Sequence, residues 1–319
     1  APTEIYTLSL HDALPILSAF WGGQEGTYLL WLLMSVAFGF IILKTAGQYT
    51  NWALAAYAAV NLFFTTMLLK VSPFAFLSFY AADGAGLNPL LLDPWMVVHP
   101  PVMFVGYALA GAPFAIAIAA LIMNDYTEWT RRVFPWVAGT ALFLAAGNIL
   151  GGYWAYKTLG WGGFWAWDPV ENSSLIPWFM SLALLHGLVL ERHSGALRRS
   201  NLMLAAATFW LVVWGTFMTR SGVLSDFSVH SFVDMGQNTW LIMFLVLFGG
   251  ITLASFVPRA KSIQSVPVNT NFFGREFSLL AAMLLLFLFS LIVLFWSSLP
   301  ILTKIVGAEP RAADIGTYN

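Results

Sequence analysis

Between Trp161 and Trp178 the chain reads WGGFWAWDPVENSSLIPW. Trp161, Phe164, Trp165 and Trp167 fall within seven residues, and Asp168, Pro169, Glu171 and Asn172 follow at once. Flat apolar rings at that density could wall a planar macrocycle, while glycines between them let a backbone approach closely. Asp168 and Glu171 could fix the loop or hydrogen-bond to a ligand. The same residues also suit an interfacial aromatic belt, where indoles sit at the level of the lipid headgroups. The clustering of four rings favours the wall.

The chain has no cysteine. Disulfides, thiolate metal sites and covalent haem attachment through its own CxxCH are therefore excluded, and an iron centre would rest on histidine. His99 lies in DPWMVVHPPVMF, where Pro100 and Pro101 suit the first turn of a helix, so its imidazole is expected at the helix start, facing outward. His230 lies in RSGVLSDFSVHSF, in the loop after the sixth apolar run. Each alone could be a hydrogen-bonded loop residue. Two of them flanking an aromatic plate could supply both axial ligands of one haem. His186 sits inside an apolar run, FMSLALLHGLVL, where an ionisable group is costly. It is either a neutral histidine bonded between helices or a ligand to a second, intramembrane haem whose other ligand is missing from this chain. Arg220 could pair with a haem propionate or a phospholipid. His193, in a charged loop, reads as solvated, and the methionines read as packing.

The elements that must position these groups are membrane helices. Hydrophobic residues make up 59% of the 319 residues and charged ones 9%, whereas soluble domains carry about 25% charge. The apolar runs are about twenty residues long and do not alternate with period two, so helices are expected rather than barrel strands. Eight spans are predicted: Tyr28–Leu43, Trp52–Leu69, Val102–Met123, Phe134–Gly152, Ser174–Leu190, Leu202–Met218, Trp240–Val257 and Phe277–Trp296. The fold class is an all-α, polytopic transmembrane bundle. One set of loops carries Lys44, Arg131, Arg132, Arg192, Arg198, Arg199, Arg259, Lys261 and Arg275; the other carries Lys70, Lys157, Arg220, Lys304 and Arg311. The positive-inside rule puts the richer set in the cytoplasm and the tryptophan loop outside. Gly147 and Gly151, four apart, read as a helix-packing pair.

A net charge of −1 points to no nucleic acid. Phosphate loops, dinucleotide fingerprints and HExxH are absent from the sequence. Residues 1–16 (APTEIYTLSLHDALPI) are too polar for a span, lack the basic start of a signal peptide, and resemble translated sequencing adapter. They are expected to be foreign, His11 with them, leaving 17–319 as one membrane domain of a longer protein.

Four segments in order carry a family resemblance: WGGQEGTYLLW from Trp21, DGAGLNPLLLDPWMVVHPP from Asp83, GWGGFWAWDPVENSSLIPW from Gly160 and GTFMTRSGVLSDFSVHSF from Gly215. Together they resemble the CcmF/NrfE family, the WWD-motif haem lyase membrane subunits of cytochrome c maturation, over about residues 21–319. The resemblance implies that His99 and His230 flank the WWD loop and ligate a transient outer-face haem. It implies that His186 ligates a permanent b-type haem, with its partner histidine in a later span outside this chain. Trp161, Phe164, Trp165, Trp167, Asp168, Glu171 and Arg220 would contact the outer haem; Phe164 stands where the family usually has Trp. The implied reaction is thioether attachment of haem to a CxxCH apocytochrome c, in a bacterial inner membrane with the WWD loop periplasmic. The implied partners are a haem chaperone of the CcmE type and CcmH-type thiol-handling subunits. A haem transporter, or a haem-delivery scaffold without a catalytic step, is the alternative.

Overall fold

The computed structural model describes residues 10–74, 87–160, 163–228, 231–232 and 236–318. Among them run ten α-helices: α1 (Leu10–Gly22), α2 (Gln24–Thr45), α3 (Thr50–Lys70), α4 (Pro94–Met123), α5 (Trp129–Thr158), α6 (Pro169–Ser194), α7 (Arg198–Arg220), α8 (Asn238–Phe256), α9 (Arg275–Ser297) and the short α10 (Leu299–Ile305). Eight of these, from α2 to α9, are long and apolar enough to cross a membrane, as the apolar runs predict. The helix α1 starts inside the segment expected to be foreign.

The third span begins earlier than expected. Asp93 caps α4 by accepting from the Trp95 N–H at 2.9 Å, and Pro94 occupies the first helical position. Pro100 and Pro101 therefore lie in the helix interior, and His99 is more than a turn inside it rather than at its start. Pro100 has no N–H to offer the carbonyl of Met96, four residues back. The Trp21 indole on α1 donates to that carbonyl instead, at 3.4 Å. The loop expected over 153–173 is also shorter. The α5 helix continues to Thr158, because Trp154, Ala155 and Leu159 pack against Leu90, Trp95 and Met96 beside the extended start of α4. The α6 helix starts at Pro169, where Asp168 and Glu171 form a reciprocal capping box.

Core and periphery follow from composition. In α4, 83% of the most apolar stretch is buried, whereas in α9 only 17% is. The buried face of α4 from Ala108 to Ala120 is mostly alanine with Gly111, which lets neighbouring helices approach. The α9 helix instead exposes Leu284, Leu285, Leu288, Phe289, Ile292 and Phe295, a surface suited to lipid. One close approach requires glycine. A Cβ on Gly215 of α7 would fall 2.6 Å from the Ser173 carbonyl of α6. Pro177, four residues on, offers that carbonyl no N–H.

The loops segregate to two ends. At the basic end Gln48 donates to Asp125 at 2.9 Å, and Glu191 accepts from Trp129, Arg198 and Asn201, each at 2.9 Å. At the other end Lys157 pairs with Asp93 at 2.8 Å, and the Ser228 hydroxyl donates to Asp168 at 2.8 Å. The WWD loop belongs to this second end.

Candidate functional site

His99, Met103 and Tyr107 recur every four residues along α4 and so share one face. That face, with Asn148 and Gly151 of α5, Trp165 of the loop, and Val170 and Ser174 of α6, lines a cavity of about 140 Å³. A second cavity of about 130 Å³ also touches His99, Met103, Tyr107, Val170 and Thr219, and adds Phe104, Thr216, Arg220 and Phe232. One imidazole thus stands between a tryptophan-lined space and an arginine-lined space. Its Nδ1 lies 2.8 Å from the Gly147 carbonyl of α5. A carbonyl only accepts, so Nδ1 carries the proton and Nε2 the lone pair that a metal would use.

The described rings of the WWD loop, Phe164, Trp165 and Trp167, do not form one continuous flat plate. Trp165 and Trp167 stand edge to face at 86°, with centroids 6.4 Å apart. Trp167 takes a left-handed backbone with φ of +56°, which turns its ring to stack on Tyr318 at 4.9 Å and 3°. Phe164 stacks on Tyr156 at 4.4 Å and 2° and is 54% exposed. It lines a separate apolar groove of about 560 Å³ between α5 and α6, shared with Tyr153, Trp178 and Trp165. Of the described rings of this loop, only Trp165 lines the His99 cavity. Its indole Nε1 is buried with no hydrogen-bond partner among the described residues. Asp168 and Glu171 hold the loop: Asp168 accepts from the Val170 N–H at 2.7 Å and Glu171 from the Ala166 N–H at 2.9 Å. Trp161 and His230 lie outside the described residues.

Arg220 ends α7 and is 6% exposed. Its guanidinium lies 4.7 Å from the Tyr28 ring centroid, 5.0 Å from Phe232 and 5.8 Å from Phe104, and donates weakly to the Gln24 carbonyl at 3.4 Å. Among the described residues no carboxylate forms an ion pair with it. His186 is half-buried on α6, and its Nδ1 lies 2.8 Å from the Leu182 carbonyl of the same helix, not of a neighbour. The structure does not bring it to His99. Val170 lines the His99 cavity, and His186 lies sixteen residues farther along α6, about 24 Å of helix.

The cytochrome c assembly protein family matches residues 21–224, from the start of the bundle through the WWD loop to the segment after Arg220. This chain belongs to that family. Cytochrome c-type biogenesis protein CcmF of Escherichia coli is 37% identical over 302 residues, covering 91% of this chain and 46% of that protein. Cytochrome c-type biogenesis protein NrfE of Haemophilus influenzae is 35% identical, covering 85% and 43%. The solved structure of cytochrome c haem lyase CcmF superposes with a TM-score of 0.68 at 26% identity, over 92% of this chain and 46% of that one. The chain thus spans about half the length of these relatives, and it is a multi-pass membrane protein.

Some cavity residues of this cytochrome c assembly family member escaped the sequence reading. Tyr107 and Met103 carry a signal in hindsight, since they lie on the face of His99. Asn148 also carries one, as an amide in an apolar span; the Ser174 hydroxyl lies 2.6 Å from its Oδ1. Thr219 and Trp154 carry none, because their place at the cavity depends on how α5 and α7 meet α4.

Proposed function

We propose that this chain is the part of a haem lyase that holds haem at the WWD end of the bundle for attachment to cytochrome c. The observation that carries this reading is the buried Arg220, a cation with no carboxylate ion pair among the described residues, in a cavity that shares His99 with the Trp165 cavity. The residues fit haem on three counts. His99 presents the Nε2 lone pair, Arg220 suits a propionate, and Trp165 offers an apolar ring with an unpartnered N–H. Cofactor pockets are usually about 300–1,000 Å³, so neither cavity alone would hold the macrocycle. A planar group seated on His99 would have to span both.

When bound, haem would supply the vinyl carbons across which a cysteine thiol of a CxxCH apocytochrome adds, sulfur to one and hydrogen to the other. The chain's own task is positioning. His99 fixes the iron's place and Arg220 the polar edge. The capping box at Asp168 and Glu171 holds Trp165 at the wall, where orientation alone can supply several kcal/mol of a barrier. His230 is proposed as the second ligand at this site. His186 is proposed to hold a separate b-type haem with its other ligand outside this chain. The partners that fit are an apocytochrome c, a CcmE-type haem chaperone and CcmH-type subunits that keep the thiols reduced.

The test is covalent haem staining of a CxxCH reporter cytochrome in cells that depend on this protein. His99→Ala should abolish staining while the protein still inserts, and externally supplied haem should not restore it. Rescue by external haem would favour a transporter and overturn the lyase reading.

The charge asymmetry supports a cytoplasmic basic end and a periplasmic WWD loop in the bacterial inner membrane. Because the chain has no cysteine, single cysteines report accessibility cleanly. Asp226→Cys and Lys261→Cys both sit at exposed positions of opposite ends. A membrane-impermeant maleimide should label the first in intact spheroplasts and the second only after lysis. The reverse pattern would invert the orientation.

A further inference from the structure

We infer that Gly147 and Gly151 are positioning residues for His99, so that one face of α5 acts as a cradle selecting the tautomer and the orientation of a single imidazole. This rests on the reading that His99 ligates haem iron. The two glycines have the spacing of a helix-packing pair, and packing alone would be the simpler account. The geometry goes further. A Cβ on Gly151 would fall 2.6 Å from His99 Cε1, 3.0 Å from Nδ1 and 3.1 Å from Nε2. Three adjacent atoms of one ring within 3.1 Å of the missing methyl mean that the imidazole lies flush against the bare backbone of Gly151.

Gly147 completes the arrangement. Its carbonyl is the helical acceptor for the Gly151 N–H, four residues on, and its second lone pair takes the proton of His99 Nδ1 at 2.8 Å. That reach depends on the two helices being close: a Cβ on Gly147 would lie 3.2 Å from Met103 Cα and 2.7 Å from Met103 Cε. The stripe therefore brings α4 near enough for the bond, leaves room for the ring, and turns Nε2 into the ligating nitrogen. Such an outer partner of a ligating histidine usually matters about ten- to a hundredfold in metal affinity.

The experiment compares the purified chain with Gly151→Ala, Gly139→Ala and His99→Ala, each titrated with haemin and followed by absorption and spin state. Gly139 is the control on the same helix, because a Cβ there makes only an ordinary 3.4 Å contact with Leu109 Cδ1. Gly151→Ala should bind haemin about tenfold more weakly or worse and shift it away from the low-spin spectrum. Gly139→Ala should match the parent. If Gly151→Ala keeps both affinity and spectrum while His99→Ala loses them, the cradle is wrong and the haem site stands. If His99→Ala loses neither, the haem reading fails and the cradle with it.

A second arm avoids any folding defect at Gly151. In His99→Gly, free imidazole should restore ligation. 1-Methylimidazole, which can ligate iron but cannot also donate to the Gly147 carbonyl, should do so about tenfold less well. Equal rescue by the two bases would overturn the proposal.

Discussion

Arg220→Met should weaken haem binding at the His99 site by about a hundredfold or more while leaving the bundle as stable as before, or more so. The two halves of that expectation have one cause. A buried guanidinium among three rings, bonded to the Tyr28 hydroxyl and weakly to the Gln24 carbonyl, has lost its water without an ion pair to any carboxylate among the described residues. Replacing such a charge with an apolar side chain of similar length removes the cost of burying it in the ligand-free protein. With a carboxylate ligand present the balance reverses, because the ligand's charge would then be buried without a partner. That loss is typically about 3–5 kcal/mol, and about 1.4 kcal/mol is a factor of ten in affinity. Arg220→Lys should fall between, since it keeps the charge but loses the planar fork that matches a carboxylate. The measurement is haemin titration beside thermal unfolding in detergent. A methionine variant that binds haemin as tightly as the parent would remove Arg220 from the site. One that binds weakly but also unfolds early would make Arg220 structural.

If His186 and His99 hold separate haems as proposed, His186→Ala should delete a different haem from the one deleted by His99→Ala in the full-length membrane protein. The two histidines are separated by about 24 Å of α6 counted from Val170, which lines the His99 cavity. Iron–histidine bonds are about 2 Å long, so the two cannot serve one iron. The structural cost of His186→Ala should be small, because its one hydrogen bond is to a carbonyl of its own helix. Absorption spectra of the reduced and oxidised variants decide the matter: each substitution should bleach one component and leave the other. Loss of the same component in both would leave a single haem and no reason for a histidine in the middle of a span.

Hydropathy and helix length turn out to report different things. Apolar runs mark the part of each helix inside a bilayer, while caps mark where the helix itself begins. The predicted starts at Val102 and Ser174 follow the apolar boundary. The observed starts at Pro94 and Pro169 follow Asp93 and Asp168, each an acceptor for the N–H at the second position of its helix. Those Asp-Pro pairs were legible in the sequence. Reading them as caps would have drawn His99 into α4 and shortened the WWD loop.

The sequence by itself determined the number of spans, the segregation of charge between two sets of loops, and the membership of His99, Arg220, Trp165 and Trp167 in one end of the molecule. Each is a local property, or follows from counting crossings, so no fold was needed to see it. Only the tertiary structure decided which groups meet. Trp165 faces the histidine cavity, Phe164 turns to Tyr156, and Trp167, itself in a left-handed conformation, turns to Tyr318. Arg220 is buried by rings from α2, α4 and the loop after α7, and His99 is oriented by a carbonyl of α5. Residue types and spacing along one segment cannot encode the pairings around His99 and Arg220, since these depend on how closely helices distant in sequence approach, and small residues between helices such as Gly147 and Gly151 set that distance.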